Sequence, residues 1–164
     1  MDPVRIAEMT SMCAAKRKFG SREFRQAIGG PTGVQEARQA YHTCVAFEHD
    51  LALRVSRKHQ DGVTVELLLR PELLNSNGVL HGGVTASVVD EAAWHAIQHH
   101  FKEPRSSTTA ELKINYLLPI AGRKLTARAY LLRAGKNLCV SRVDVFNEQR
   151  RLAAAAMVTY MLLG

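Results

Sequence analysis

Between two groups of strand-like segments lies one long stretch with helical periodicity, Val84 to about Phe101. At about 100° per residue, Val84, Val88, Val89, Ala92, Ala93, Ala96 and Ile97 fill one broad apolar arc. A helix with such a face must bury it, and its neighbours in sequence offer sheet. Upstream, Leu51, Leu53 and Val55 alternate with polar residues from about residue 48. Asp61-Gly62 then marks a turn into Val63, Val65, Leu67 and Leu69, a hairpin pattern. Downstream, four strands are expected over Thr108–Leu118, Arg123–Arg133, Asn137–Phe146 and Leu152–Leu163. Gly122, Ala134-Gly135-Lys136 and Asn147-Glu148-Gln149 supply the turns. Ala127, Ala129 and Ala153–Ala156 are small enough for the sheet to close tightly on the helix. The expected class is α+β, one long central helix wrapped by a curved antiparallel sheet. Without alternating strands and helices, Rossmann and α/β-barrel folds are excluded.

The 164 residues allow one compact domain with at most a small appendage. Residues 1–47 read as that appendage, with helices over 3–28 and 34–47 separated by Gly29-Gly30-Pro31-Thr32-Gly33. The domain itself is expected over 48–164. A hydrophobic fraction of 46% with 23% charged residues excludes global disorder. No apolar run is long enough to span a membrane, and the charged N-terminus does not read as a signal peptide. Cys13, Cys44 and Cys139 fit neither a disulfide framework nor a zinc pattern, so a reducing cytoplasm is expected. The formal charge of +7 suits a polyanionic or phosphorylated partner. Only Lys16-Arg17-Lys18 clusters, however, and no aromatics interleave it, which argues against nucleic acid. A phosphate-bearing small ligand fits the charge equally well.

The segment richest in chemistry is Asn75-Ser-Asn-Gly78-Val-Leu80-His81-Gly82-Gly83, with Asp90 seven residues beyond Gly83. Asn75, Gly78, His81, Gly82, Gly83 and Asp90 stand in register with a known pattern. The chain resembles the hot-dog-fold acyl-CoA thioesterases, particularly the phenylacetate-degradation type. Ile114-Asn115-Tyr116-Leu117-Leu118-Pro119 is similar to the family's strand after the helix, and Gly135 to a common hairpin glycine. The resemblance runs from about residue 48 to 164. It implies a hot-dog fold that hydrolyses an acyl-CoA thioester with no metal or organic cofactor. It also implies a pocket between subunits, and dimers that pair again into tetramers.

The residues themselves make chemical sense in those roles. Gly82 and Gly83 open the helix, where backbone N–H groups lack intrahelical partners and the macrodipole is positive. Without Cβ atoms they let a carbonyl approach, as an oxyanion hole requires, although paired glycines also serve a tight turn. Asp90 sits mid-helix at the edge of the apolar arc. Partial desolvation there would raise its pKa towards that of a useful general base, while Glu91 reads as a solvated face residue. Asn75 can hold the attacking water or the thioester oxygen through its amide, or simply form the turn. His81, before the helix, would cap it or orient the loop, and with Gly83 it belongs to the substrate-binding side. A hydroxyl on the strand after the helix often assists the water in the family. Thr109 matches best, with Thr108 and Ser107 close by. Glu91, His95 and His99 are spaced i, i+4, i+8, but no further ligand accompanies them, and a hydrated or subunit-facing surface is the simpler reading. Trp94, Phe101 and Cys139 read as packing. Lys102, Arg105, Lys136 and Arg142 are available for nucleotide phosphates.

Two other functions use the same features. A hot-dog dehydratase would need His81 as its acid–base residue. A non-catalytic acyl-CoA sensor would need a DNA-binding segment within residues 1–46, which hold a single basic cluster. Hydrolysis also carries a geometric demand. Gly82 and Asp90 are eight residues apart on one helix, roughly 12 Å along its axis at 1.5 Å per residue. One subunit cannot bring both to one thioester. The expectation is therefore a homodimer in which Gly82 and Asn75 of one chain face Asp90 and Thr109 of the partner.

Overall fold

The computed structural model describes residues 46–101 and 105–163. The helix expected over 3–28, most of that over 34–47, the Lys16–Lys18 cluster, Cys13, Cys44 and Lys102 lie outside the described residues. The chain divides into two units at Leu51/Ala52. In the first, a short helix α1 covers Ala46–Leu51. The alternation read from residue 48 is thus corrected. Leu51 closes a helical turn, and Ala52 with φ 54° turns the chain before the first strand starts at Arg54. Leu51, read as the first residue of the alternation with Leu53 and Val55, also stands four residues after Phe47, which is helical spacing.

The second unit holds β1 (Arg54–His59), β2 (Gly62–Leu68), a 3₁₀ turn (Pro71–Leu73) and the long helix α2 (Gly82–Phe101). Then come β3 (Ser107–Tyr116), β4 (Lys124–Ala134), β5 (Leu138–Phe146) and β6 (Leu152–Leu162). All pairings are antiparallel, and the sheet order is β1-β2-β4-β5-β6-β3. The four downstream strands are therefore not a simple meander. β3 crosses to the far edge and pairs with β6, while β4 inserts beside β2. Asp61-Gly62 makes the first hairpin, and only glycine fits at its second position. Gly62 has φ +147°, and a Cβ there would lie 2.1 Å from the Ala129 carbonyl oxygen.

The core is the seam between α2 and the sheet. Val88, Val89, Ala92, Ala93, Ala96 and Ile97 are fully buried against Val63, Val65 and Leu67 of β2, and against the small side chains of Ala127, Ala129 and Ala154. Thr85 takes the buried place expected for Val84, which is half-exposed. Helix α2 lies chiefly over β2 and β4 and least over β3 and β6. Consequently Leu112 and Ile114 of β3, which face the helix side of the sheet beside Val158 and Ala156, are only half-buried. No helix of the described residues is long and apolar enough to cross a membrane.

Candidate active site

The loop before α2 is tied by backbone hydrogen bonds to the β3–β4 connection and to the 3₁₀ turn. Leu80 N–H donates to Ile120 O at 2.8 Å and His81 N–H to Leu73 O at 2.9 Å. Within it, residues 75–79 close on Asn75. Its backbone N–H donates to Val79 O at 2.8 Å, and Gly78 N–H donates to Asn75 O at 2.9 Å. The side-chain Oδ1 of Asn75 accepts from Asn77 N–H at 2.9 Å and Val79 N–H at 3.4 Å. The turn-forming role is therefore real, and it consumes the acceptor. What remains for a ligand is the amide NH₂, a pure donor, which suits an oxygen that gains negative charge.

At the mouth of α2, His81 is the N-cap. Its carbonyl accepts the first helical bond from Thr85 N–H at 3.1 Å, and its Nδ1 accepts from Gly83 N–H at 3.0 Å. A Cβ on Gly83 would press on that ring, 3.1 Å from Nδ1 and 3.3 Å from Cε1. Gly83 thus spends its N–H on the cap. The N–H of Gly82 has no partner among the described residues and sits at the positive end of a 20-residue helix. Tyr116 donates its hydroxyl to Gly82 O at 2.9 Å, on the next peptide along, the one that carries Gly83 N–H. Beside it lies an open, mainly apolar groove of about 290 Å³, lined by Leu80, Gly82, Tyr116, Leu117, Pro119 and Ile120.

Two turns further along α2, half-buried Asp90 meets two hydroxyls. Thr109 of β3 donates to Oδ1 at 2.9 Å and lies 3.1 Å from Oδ2. Tyr160 of β6 donates to Oδ1 at 2.8 Å. Tyr160 is buried, and burial, the largest effect, drives its phenol far above the usual range. The Thr109 hydroxyl opposes this as the next largest effect, and the Asp90 charge then adds to the rise. The phenol is a permanent donor. Of the neighbouring hydroxyls, Thr108 pairs with Met161 and Ser107 makes no bond to Asp90; Ser107 Oγ is buried with no partner among the described residues. The N–H of Gly82 and the carboxylate of Asp90 thus lie on one rigid helix, about 12 Å apart along it.

The chain that carries this arrangement has counterparts among known proteins. Residues 77–154 match the model of the thioesterase superfamily. The chain is 31% identical to the medium/long-chain acyl-CoA thioesterase YigI of Escherichia coli, over 74% of this chain and 87% of that protein.

This chain belongs to the thioesterase superfamily.

Solved structures agree on the fold. A Haemophilus influenzae thioesterase superposes with a TM-score of 0.69 at 22% identity, covering 74% of this chain and 85% of that one. The PaaI protein of the phenylacetic acid degradation operon of E. coli gives a TM-score of 0.69 at 22% identity, covering 79% and 93%. The expected hot-dog fold is the one found, and the protein is a thioester hydrolase.

The remaining expectations for this thioesterase divide by geometry. Of the helix face Glu91–His95–His99, His99 donates Nε2–H to His59 O at 3.0 Å and so ties α2 to the end of β1. Of the basic residues considered for phosphates, Arg142 is held in a fork by Asp144 at 3.0 and 2.7 Å, and Arg105 lies 5.0 Å over the Phe101 ring. Cys139 is buried, and burial pushes its thiol up from the usual range. Sequence reasoning missed Tyr160. Its one signal was a tyrosine in an otherwise small and aliphatic core strand, a place where a hydroxyl needs a partner.

Proposed function

We propose that this thioesterase hydrolyses an acyl-CoA to a free acid and CoA, with Asp90 as the general base. The observation that carries this is the half-buried Asp90 carboxylate, held by two hydroxyl donors on a helix whose first N–H is free. In the proposed reaction Asp90 takes a proton from water as its oxygen attacks the thioester carbon. The oxyanion accepts from Gly82 N–H and from the Asn75 amide. Collapse breaks the C–S bond, and the thiolate leaves with the proton that Asp90 acquired. The name of the E. coli relative supports an acyl-CoA substrate. His81 and Gly83 shape the substrate-binding loop rather than react. His81 Nδ1 already accepts from Gly83 N–H, which disfavours the dehydratase reading. The hydrolytic domain is taken to begin near residue 48, with 1–47 as an extension.

The site is shared across a homodimer, with Gly82 and Asn75 of one chain opposite Asp90 and Thr109 of the other. Two features support this. The separation along α2 is too large for one thioester, and edge strand β3 presents half-buried Leu112 and Ile114 that α2 leaves uncovered. By the family resemblance such dimers pair into tetramers. The test is thiol release from a panel of straight-chain and aryl acyl-CoAs. Asp90→Asn is expected to bind substrate with kcat lowered at least about a hundredfold, and Glu91→Gln to change little. Tight binding without release by the wild-type protein would favour the sensor reading instead. Near-normal turnover by Asp90→Asn would remove the mechanism.

A further inference from the structure

Thr109 of β3 and Tyr160 of β6 are register partners, so their side chains leave the same face of the sheet side by side. A β-bulge lies just beyond Thr109, between it and Glu111, and re-aims the strand there. Both hydroxyls end on one carboxylate, but not symmetrically. Tyr160 Oη lies 2.8 Å from Asp90 Oδ1 and 3.1 Å from Asp90 O. A phenol has one proton, and the shorter contact to a charged oxygen takes it. Thr109 adds a second contact to Oδ1 at 2.9 Å, and Oδ2 is left with only the longer 3.1 Å contact.

We infer that Tyr160 is a positioning residue for hydrolysis: it pins Asp90 through Oδ1 and presents Oδ2 as the oxygen that meets the attacking water. This rests on the reading of Asp90 as general base. The ring also makes the arrangement rigid. Tyr160 is buried, and its oxygen meets Asp90. With Tyr160 holding Oδ1, Thr109 is able to turn its proton towards water without releasing the carboxylate. The groups around this pair are few. Glu91 of α2 adds negative charge near Tyr160, Cys139 of β5 pairs with Tyr160 as a buried thiol, and Glu111 pairs with Thr159 on the opposite face.

The test compares kcat and KM for the full-length wild type, Tyr160→Phe, and protein carrying 3-fluorotyrosine at position 160. Phenylalanine keeps the ring and deletes the donor, so kcat should fall about tenfold with KM within about twofold. 3-Fluorotyrosine keeps the donor at nearly the same size, and its kcat should stay within about twofold of wild type. If Tyr160→Phe does not fold, 4-aminophenylalanine at position 160, a weaker donor on the same ring, takes its place and should lower kcat with KM unchanged. An inactive Asp90→Asn together with wild-type kcat in the folded protein that lacks or weakens the donor would overturn the role of Tyr160 while leaving the base in place. An active Asp90→Asn would instead overturn the general-base reading itself.

Discussion

Mixing two inactive variants tests the shared site with a number attached. One parent carries Asp90→Asn, the other Asn75→Ala. If each site joins Asn75 of one chain to Asp90 of its partner, a mixed dimer holds one site with both residues intact and one with both altered. Random exchange of equal amounts makes half the dimers mixed, so about one quarter of all sites are whole. Recovery should therefore approach about a quarter of wild-type kcat, against a baseline equal to the mean of the two parents. The structure sets the alternative equally sharply. If Asp90 and Asn75 of one chain served the same thioester, no mixed dimer would contain a whole site and activity would stay at baseline. The separation argues against that alternative, since the helix places Gly82 and Asp90 about 12 Å apart along its axis. A base must come within about 3 Å of the attacking water. The assay is thiol release after unfolding and refolding the mixture, with exchange proved by mass spectrometry on differently tagged parents. Proven exchange with activity fixed at baseline would refute the reasoning.

Two further outcomes follow from the described bonds. His81→Ala removes the acceptor for Gly83 N–H and should lower stability by about 1 kcal/mol, as loss of an N-cap does. Gly83→Ala disturbs the same cap but gains about 1 kcal/mol of helix propensity, so its denaturant midpoint should stay near wild type, and equal losses in both variants would contradict this balance. On the outer face, Lys124 bonded at 3.0 Å, with Arg54 at 3.3 Å, holds the Glu66 carboxyl below its usual range against a smaller effect of burial. That contribution is present above the carboxylate range and is lost as pH falls through it. Glu66→Gln should therefore show a flatter decline of Tm below about pH 5 than wild type, whereas parallel curves would show that the cluster contributes nothing to acid stability.

Much of the architecture was legible because it is local. The apolar arc of α2, the Asp61-Gly62 turn and the strands each announce themselves within about twenty residues, and observed boundaries differ from those expected by one or two positions. The exceptions are instructive. The alternation of Leu51, Leu53 and Val55 begins inside a helical turn, because Leu51 also stands four residues after Phe47, so such a short apolar signal could not decide the start of the sheet. Strand order was also hidden. The crossover that sets β3 beside β6, and β4 beside β2, depends on long-range pairing that no local pattern encodes.

The site divides along the same line. Asn75, His81, Gly82, Gly83 and Asp90 fall within sixteen positions, and their meaning depends on one loop and one helix. The groups that act on Asp90 come from β3 and β6, where only register says which side chain reaches it. Strict alternation back from Leu112 and Ile114 would bring Thr108 and Ala110 to the helix face and send Thr109 outward. The bulge before Glu111 shifts that count by one, and Thr109 pairs with Tyr160 instead. A single inserted residue therefore decides which threonine touches the carboxylate. Tyr160, seventy residues from Asp90 in sequence, reaches it through two strand pairings and the packing of a helix. A carboxylate can be recognised from the sequence around it. The donors that set its orientation belong to the fold, and they become visible only once the register is known.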